Sequence, residues 1–206
     1  MYKLAIFVSG RGSNFKAIYS EIEKGNITAE ISAVISNKLE CDALKFAKAN
    51  NIQTFIVSDS PKNQITISYD ELQNILVNFG VDLIILAGFL KKIPNTFVKK
   101  FNKKIINIHP ALLPSFGGKG MYGMNVHETV FNSSIKQSGA TVHFVDEIYD
   151  NGKIIIQESV DISDVKSATE IAERVLKIEH KLLPYIVKKF SENKVRFINN
   201  KIFVDN

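Results

Sequence analysis

Apolar positions along this chain follow two alternating rhythms. Leu4-Ala5-Ile6-Phe7-Val8 and the runs at 31–36, 54–57, 82–87 and 104–108 are short, rich in β-branched residues and apolar on both faces. That pattern predicts strands of a parallel sheet covered on both sides. Between them the apolar residues recur with helical spacing. Phe15, Ile18, Tyr19 and Ile22 form one stripe at i, i+3, i+4 and i+7, with Gly25 as a stop signal. Further helices are predicted over 42–50, over 69–79 with Leu72, Ile75, Leu76 and Phe79 inward, and over 95–101. A β-α-β-α order of this kind predicts an α/β fold: a Rossmann-like, mostly parallel twisted sheet, doubly wound.

After Ile108 the rhythm changes, and the C-terminal part is expected to be antiparallel. A Gly-rich loop fills 110–125, followed by a short helix over 126–133. Residues 140–145 alternate as a half-exposed strand would, and 153–160 is its expected antiparallel partner across the turn-forming Asp150-Asn151-Gly152. A long helix is predicted over 167–191, with Ile171, Val175, Ile178, Leu182 and Ile186 inward and Pro184 as a kink. Two short strands about Asn199-Asn200 read as a terminal hairpin. With no repeat, linker or low-complexity segment, the chain is expected to be a single domain over 1–206.

Composition changes this picture little. Of 206 residues, 45% are hydrophobic and 23% charged, the balance of an ordinary globular protein. No run of 18 apolar residues and no signal peptide stand out, so the chain is expected to be cytoplasmic and not membrane-bound. Cys41 is the single cysteine, which excludes an internal disulfide and a multi-thiolate metal site; it reads as a small buried or half-buried thiol. No metal is expected. The net charge of +5 is concentrated most at Lys91-Lys92, Lys99-Lys100 and Lys103-Lys104. This stretch lacks the clustered arginines and interleaved aromatics of nucleic-acid binders. A solvated face, or a field that draws in a polyanionic small molecule, fits it better.

Candidate chemistry lies at two strand ends. Gly10-x-Gly12-Ser13-Asn14 joins the first strand to the first helix, where glycines and helix N–H groups can receive an anion. Phe15 stands where a dinucleotide fingerprint has its third glycine, and no Walker A loop follows this strand. A tight turn with a helix cap and a phosphate loop are both open readings. The second strand end is Asn107-Ile108-His109-Pro110, where alternation points the amide and the imidazole the same way at a carboxyl edge. Asn107 offers a neutral donor, and His109 a donor that exchanges protons near neutrality. Asp150 would raise the pKa of such a histidine.

Five ordered segments carry a resemblance over essentially the whole chain: IFVSGRGSNFKAI at the start, LAGFLKKI at 86–93, NIHPALLPSF at 107–116, GATVHFVDEIYDNG at 139–152, and Ile178-Glu179-His180. The chain resembles the phosphoribosylglycinamide formyltransferase family, folate-dependent enzymes of purine biosynthesis. The resemblance implies transfer of the formyl group of 10-formyltetrahydrofolate, a co-substrate, to the amine of 5-phosphoribosylglycinamide. It implies Asn107, His109 and Asp150 as the catalytic set, and Gly12, Ser13 and Asn14 on the ribose phosphate. Glu179 would serve the ribose or glycinamide part, and Leu90, Lys91, Lys92 and Ile93 would line the folate site. His143 would stand nearby on the pterin side, and Lys119 would reach the phosphate. Residues 1–108 would form the phosphate-binding half; 109–206 would form the folate and catalytic half. The partners implied are small-molecule substrates and no nucleic acid, in a monomer or homodimer. Two departures stand out: Thr66 and its neighbours where many members carry an arginine, and Leu176 where some carry a glutamine. Methionyl-tRNA formyltransferase and formyltetrahydrofolate hydrolase share this chemistry but normally carry an additional domain. A sugar-phosphate binding module without catalysis is the reading from a different class.

Overall fold

A computed structural model describes residues 1–61, 65–199 and 201–205. It divides into two compact units, Met1–Ile106 and Asn107–Asn206.

In the first unit, β1 (Tyr2–Val8), β2 (Ala29–Ser36), β3 (Thr54–Val57), β4 (Thr66–Ile67) and β5 (Leu83–Leu86) lie in the order β4-β3-β2-β1-β5. The pairings among them are parallel. Leu4 through Val8 are completely buried, as a two-sided apolar run demands. Helices α1 (Ser13–Glu23), α2 (Asp42–Ala49), α3 (Tyr69–Phe79) and α4 (Asn95–Lys100) alternate with the strands. The α3 limits coincide with the predicted span because a capping box fixes its start. Ser68 Oγ accepts the Glu71 N–H at 3.1 Å, and Glu71 accepts the Ser68 N–H at 2.8 Å. Gly80, left-handed at φ 68°, ends the helix. Strand β4 escapes the sequence reading because two residues carry too little periodicity.

β6 (Ile105–His109) begins in the first unit and ends in the second. There it is followed by α5 (Met124–Asn132), β7 (Gln137–Phe144), β8 (Ile154–Asp161), α6 (Ala168–Ser191) and the hairpin β9 (Val195–Ile198) and β10 (Lys201–Val204). The strands run β6-β7-β8, with β7 and β8 antiparallel. The predicted hairpin is present; Asn200 of its expected turn lies outside the described residues. α6 is capped by Ser167, whose Oγ accepts the Glu170 N–H at 3.3 Å, and it runs unbroken through Pro184. Ile171, Val175, Ile178, Leu182 and Ile186 are all buried.

One expectation is overturned. β7 is not half-exposed: every residue from Ser138 to Phe144 is buried. Two of its polar positions are hydrogen-bonded inside, Thr141 to the Ala111 carbonyl and His143 to the Phe144 carbonyl. The half-exposed strand is its edge partner β8. The connection from β7 to β8 is also wider than a tight turn, since pairing resumes only at His143 and Ile154.

Candidate active site

In the first unit the strand order reverses beside β1. The chain winds outward from β1 through β2, β3 and β4, then returns to the other side of β1 with β5. Open α/β sheets place ligands at the carboxyl ends of strands where the order reverses in this way. Two loops leave β1 and β5 at that point, Ser9–Asn14 and Gly88–Ile93. Gly12 has φ 70°, and a Cβ there would stand 2.6 Å from Ala43 Cβ. Glycine is therefore required both by the backbone and by the close approach of α2, whose Ala43 N–H donates to the Gly10 carbonyl at 3.2 Å. Gly12 gives α1 no side-chain cap, and the first turn carries no acidic residue. Ser13 opens the helix half-buried and Asn14 follows it buried.

The loop after β5 presents Leu90, half exposed, while Ile93 turns inward at 4% exposure. Lys91 Nζ is held by Asp59 at 2.7 Å, and Lys92 is exposed. Thr66 lies half-buried on β4, paired with Ile56.

In the second unit, β6 delivers Asn107 and His109 on one side, as alternation requires. Both reach a cluster around Asp150. His109 Nδ1 stands 3.6 Å from Asp150 Oδ2, and His143 Nε2 stands 3.6 Å from Asp150 Oδ1. Asn107 Nδ2 lies 3.0 Å from His143 Nε2. Asp150 itself adopts φ 52° and accepts the Gly118 N–H at 2.9 Å. Gly117 must be small here, because a Cβ would meet Leu113 Cδ2 at 2.5 Å and Asp150 Cβ at 3.1 Å.

Carbonyl partners fix where the protons sit. His143 Nδ1 is 2.8 Å from the Phe144 carbonyl, so Nδ1 donates. Nε2 of the neutral ring is then an acceptor, and it takes an N–H of Asn107. His109 Nε2 is 2.8 Å from the Phe116 carbonyl, so it too donates. That leaves Nδ1 of a neutral His109 bare and facing Asp150.

Burial lowers the His109 pKa, and the Asp150 charge and the Phe116 carbonyl only partly offset this. The expectation that a carboxylate raises it holds for that one contribution, but desolvation wins because the ring is 3% exposed. For Asp150, burial opposes the charge, yet His143 and His109, whenever their rings are protonated, and the Gly118 N–H hold its pKa below the usual carboxylate range. The resting cluster is a charged carboxylate beside a neutral imidazole.

Several groups in this cluster were not legible beforehand. The Phe116 carbonyl and Gly118 N–H are backbone groups, which carry no residue-type signal. Thr141 Oγ1 donates to the Ala111 carbonyl at 2.7 Å and accepts the Leu113 N–H at 3.1 Å. Gln157 Nε2 donates to the Leu113 carbonyl at 2.9 Å, so the segment after His109 is stapled to β7 and β8. Two polar residues inside an apolar strand, Thr141 and His143, were the available signal. Glu179 is buried on α6 at 7% exposure, whereas Lys119 is exposed. Among the described residues, no group of three or more His, Cys, Asp or Glu could hold a metal ion, and no helix is long and apolar enough to cross a membrane.

A parallel α/β unit is thus followed in the chain by a cluster at a strand end, where His109 and His143 are buried and Asn107 and Asp150 half-buried. The chain belongs to the formyl transferase family, whose pattern matches residues 2–187. It is 41% identical over 196 residues to the chloroplastic phosphoribosylglycinamide formyltransferase of Arabidopsis thaliana, covering 95% of this chain and 67% of that protein. To the phosphoribosylglycinamide formyltransferase of Haemophilus influenzae it is 34% identical over 206 residues, covering 100% and 94%. The crystal structure of phosphoribosylglycinamide formyltransferase from Anaplasma phagocytophilum superposes with a TM-score of 0.88 at 33% identity, covering 99% of this chain and 93% of that one.

Proposed function

We propose that this chain transfers the formyl group of 10-formyltetrahydrofolate to the amine of 5-phosphoribosylglycinamide, a step of purine biosynthesis. The observation that supports it most is the meeting of His109 and His143 at one half-buried carboxylate, Asp150, with Asn107 held against His143. The relatives' names supply the acceptor, phosphoribosylglycinamide, and the group transferred.

The reaction forms a bond from the amine nitrogen to the formyl carbon and breaks the bond from that carbon to folate N10. Negative charge grows on the formyl oxygen in between, and a neutral amide donor stabilises it without adding a proton. Asn107 spends one N–H on His143 and keeps the other for this oxygen. The amine must lose a proton and N10 must gain one. His109 accepts the proton, Asp150 stabilises the imidazolium, and the ring passes the proton to N10. His143 acts on Asn107, fixing which way its amide points.

Ground-state binding is assigned to other residues. Gly12, Ser13 and Asn14 take the ribose phosphate on the N–H groups at the start of α1, with Lys119 as a further cation for it. Glu179 holds the ribose or glycinamide part. Leu90, Lys91, Lys92 and Ile93, with Thr66, serve the folate.

An absorbance assay for loss of formyl from 10-formyltetrahydrofolate tests the reading. Turnover is expected only with 5-phosphoribosylglycinamide, giving its N-formyl product. Equal formyl loss with water alone would make the protein a hydrolase. Dependence on methionyl-tRNA would make it the tRNA enzyme, and no loss with any acceptor would leave a binding module.

A further inference from the structure

Ser9 lies at the carboxyl end of β1 and is 2% exposed, yet its hydroxyl is used twice. Oγ donates to Asn37 Oδ1 at 2.6 Å and accepts the Leu90 N–H at 2.9 Å. Its backbone N–H donates to the Gly88 carbonyl at 3.0 Å. One small residue therefore joins the ends of three strands: β1 itself, β2 through Asn37, and β5 through Gly88 and Leu90. Gly10, the next residue, opens the loop toward α1. Leu90 completes the picture. Its backbone is fixed by a buried hydroxyl while its apolar side chain stays 50% exposed beyond the end of β5, beside which the strand order reverses.

We infer that Ser9 is a positioning residue for the folate-binding loop. Its hydroxyl sets the Leu90 backbone and with it the 90–93 segment that, on the functional reading above, meets the formylfolate; Ser9 itself touches no substrate. The serine is needed because one short group must donate and accept at once. Alanine would leave the Leu90 N–H and the Asn37 oxygen without their partner.

The test compares Ser9→Ala, Asn37→Ala and Asn37→Asp with the wild type in steady-state kinetics and in amide hydrogen exchange. Ser9→Ala is expected to raise KM for 10-formyltetrahydrofolate about three- to tenfold, the scale of one neutral hydrogen bond. Its kcat should stay within about twofold of the wild type, and its Leu90 amide should exchange faster. Asn37→Ala moves both readouts in the same direction, and Asn37→Asp, which keeps an acceptor oxygen for Ser9, restores them. A folded Ser9→Ala protein with unchanged KM would overturn the inference, as would loss of kcat at constant KM. If Ser9→Ala does not fold, Asn37→Ala is held to the same criteria. A wild type that never deformylates the folate removes the functional reading instead. The exchange rates then decide alone: faster Leu90 exchange upholds the positioning role, and unchanged exchange ends it.

Discussion

At the scale of single residues, three histidines are buried near one another on different terms. His127, on α5, is 6% exposed and its Nδ1 has no partner. Burial, with a smaller contribution from His109, pushes its pKa down to about 4. An unfolded histidine titrates near 6.5. Below that pH the unfolded chain binds a proton that the folded chain refuses until about pH 4, so folding loses stability as pH falls through this window. We expect His127→Gln to flatten that decline by about 1–2 kcal/mol in urea unfolding followed between roughly pH 7.5 and 4.5. Equal declines for both proteins would show that His127 is protonated in the fold. His109 differs because a carboxylate faces it, and His143 because both nitrogens are engaged. The residue pattern exposed Asn107, His109 and Asp150 as chemistry-bearing types. It ranked His143 low, since nothing in VHF states that the ring is locked by its own neighbour's carbonyl.

Elements were most legible where local chemistry is self-sufficient. The span Tyr69–Phe79 is bounded by a capping box and a left-handed glycine, both readable from residue types. β7 misled because polar residues in a strand signal solvent unless the fold supplies partners, and those partners come from the Ala111–Leu113 segment and Gln157. The start of α1 tests the same logic. Gly12 was readable as a turn residue, but the approach of Ala43 was not. Gly12→Ala forces an L side chain to φ 70° and against Ala43 Cβ. It should cost about 2–4 kcal/mol in unfolding free energy and raise KM for the phosphorylated substrate more than KM for the folate. A variant of wild-type stability, with both KM values unchanged, would remove the loop from phosphate binding.

For the molecule as a whole, the change from parallel to antiparallel pairing was legible from the turn-forming residues between two strand-length runs, of which only β8 has a wet face while β7 is buried from Ser138 to Phe144. The meeting of Asn107, His109, His143 and Asp150 was legible only in part: residue types suggested the first two with Asp150, but nothing local brings residues so distant in the chain together, and His143 entered through the resemblance. The catalytic account depends on Asp150 governing the proton affinity of His109. Recording kcat against pH for the wild type and Asp150→Asn, between about pH 5 and 9, tests that directly. Removing the carboxylate charge removes what raises the His109 pKa, so the histidine limb should move to lower pH and kcat should fall by about 10- to 100-fold. Superimposable profiles would contradict the account.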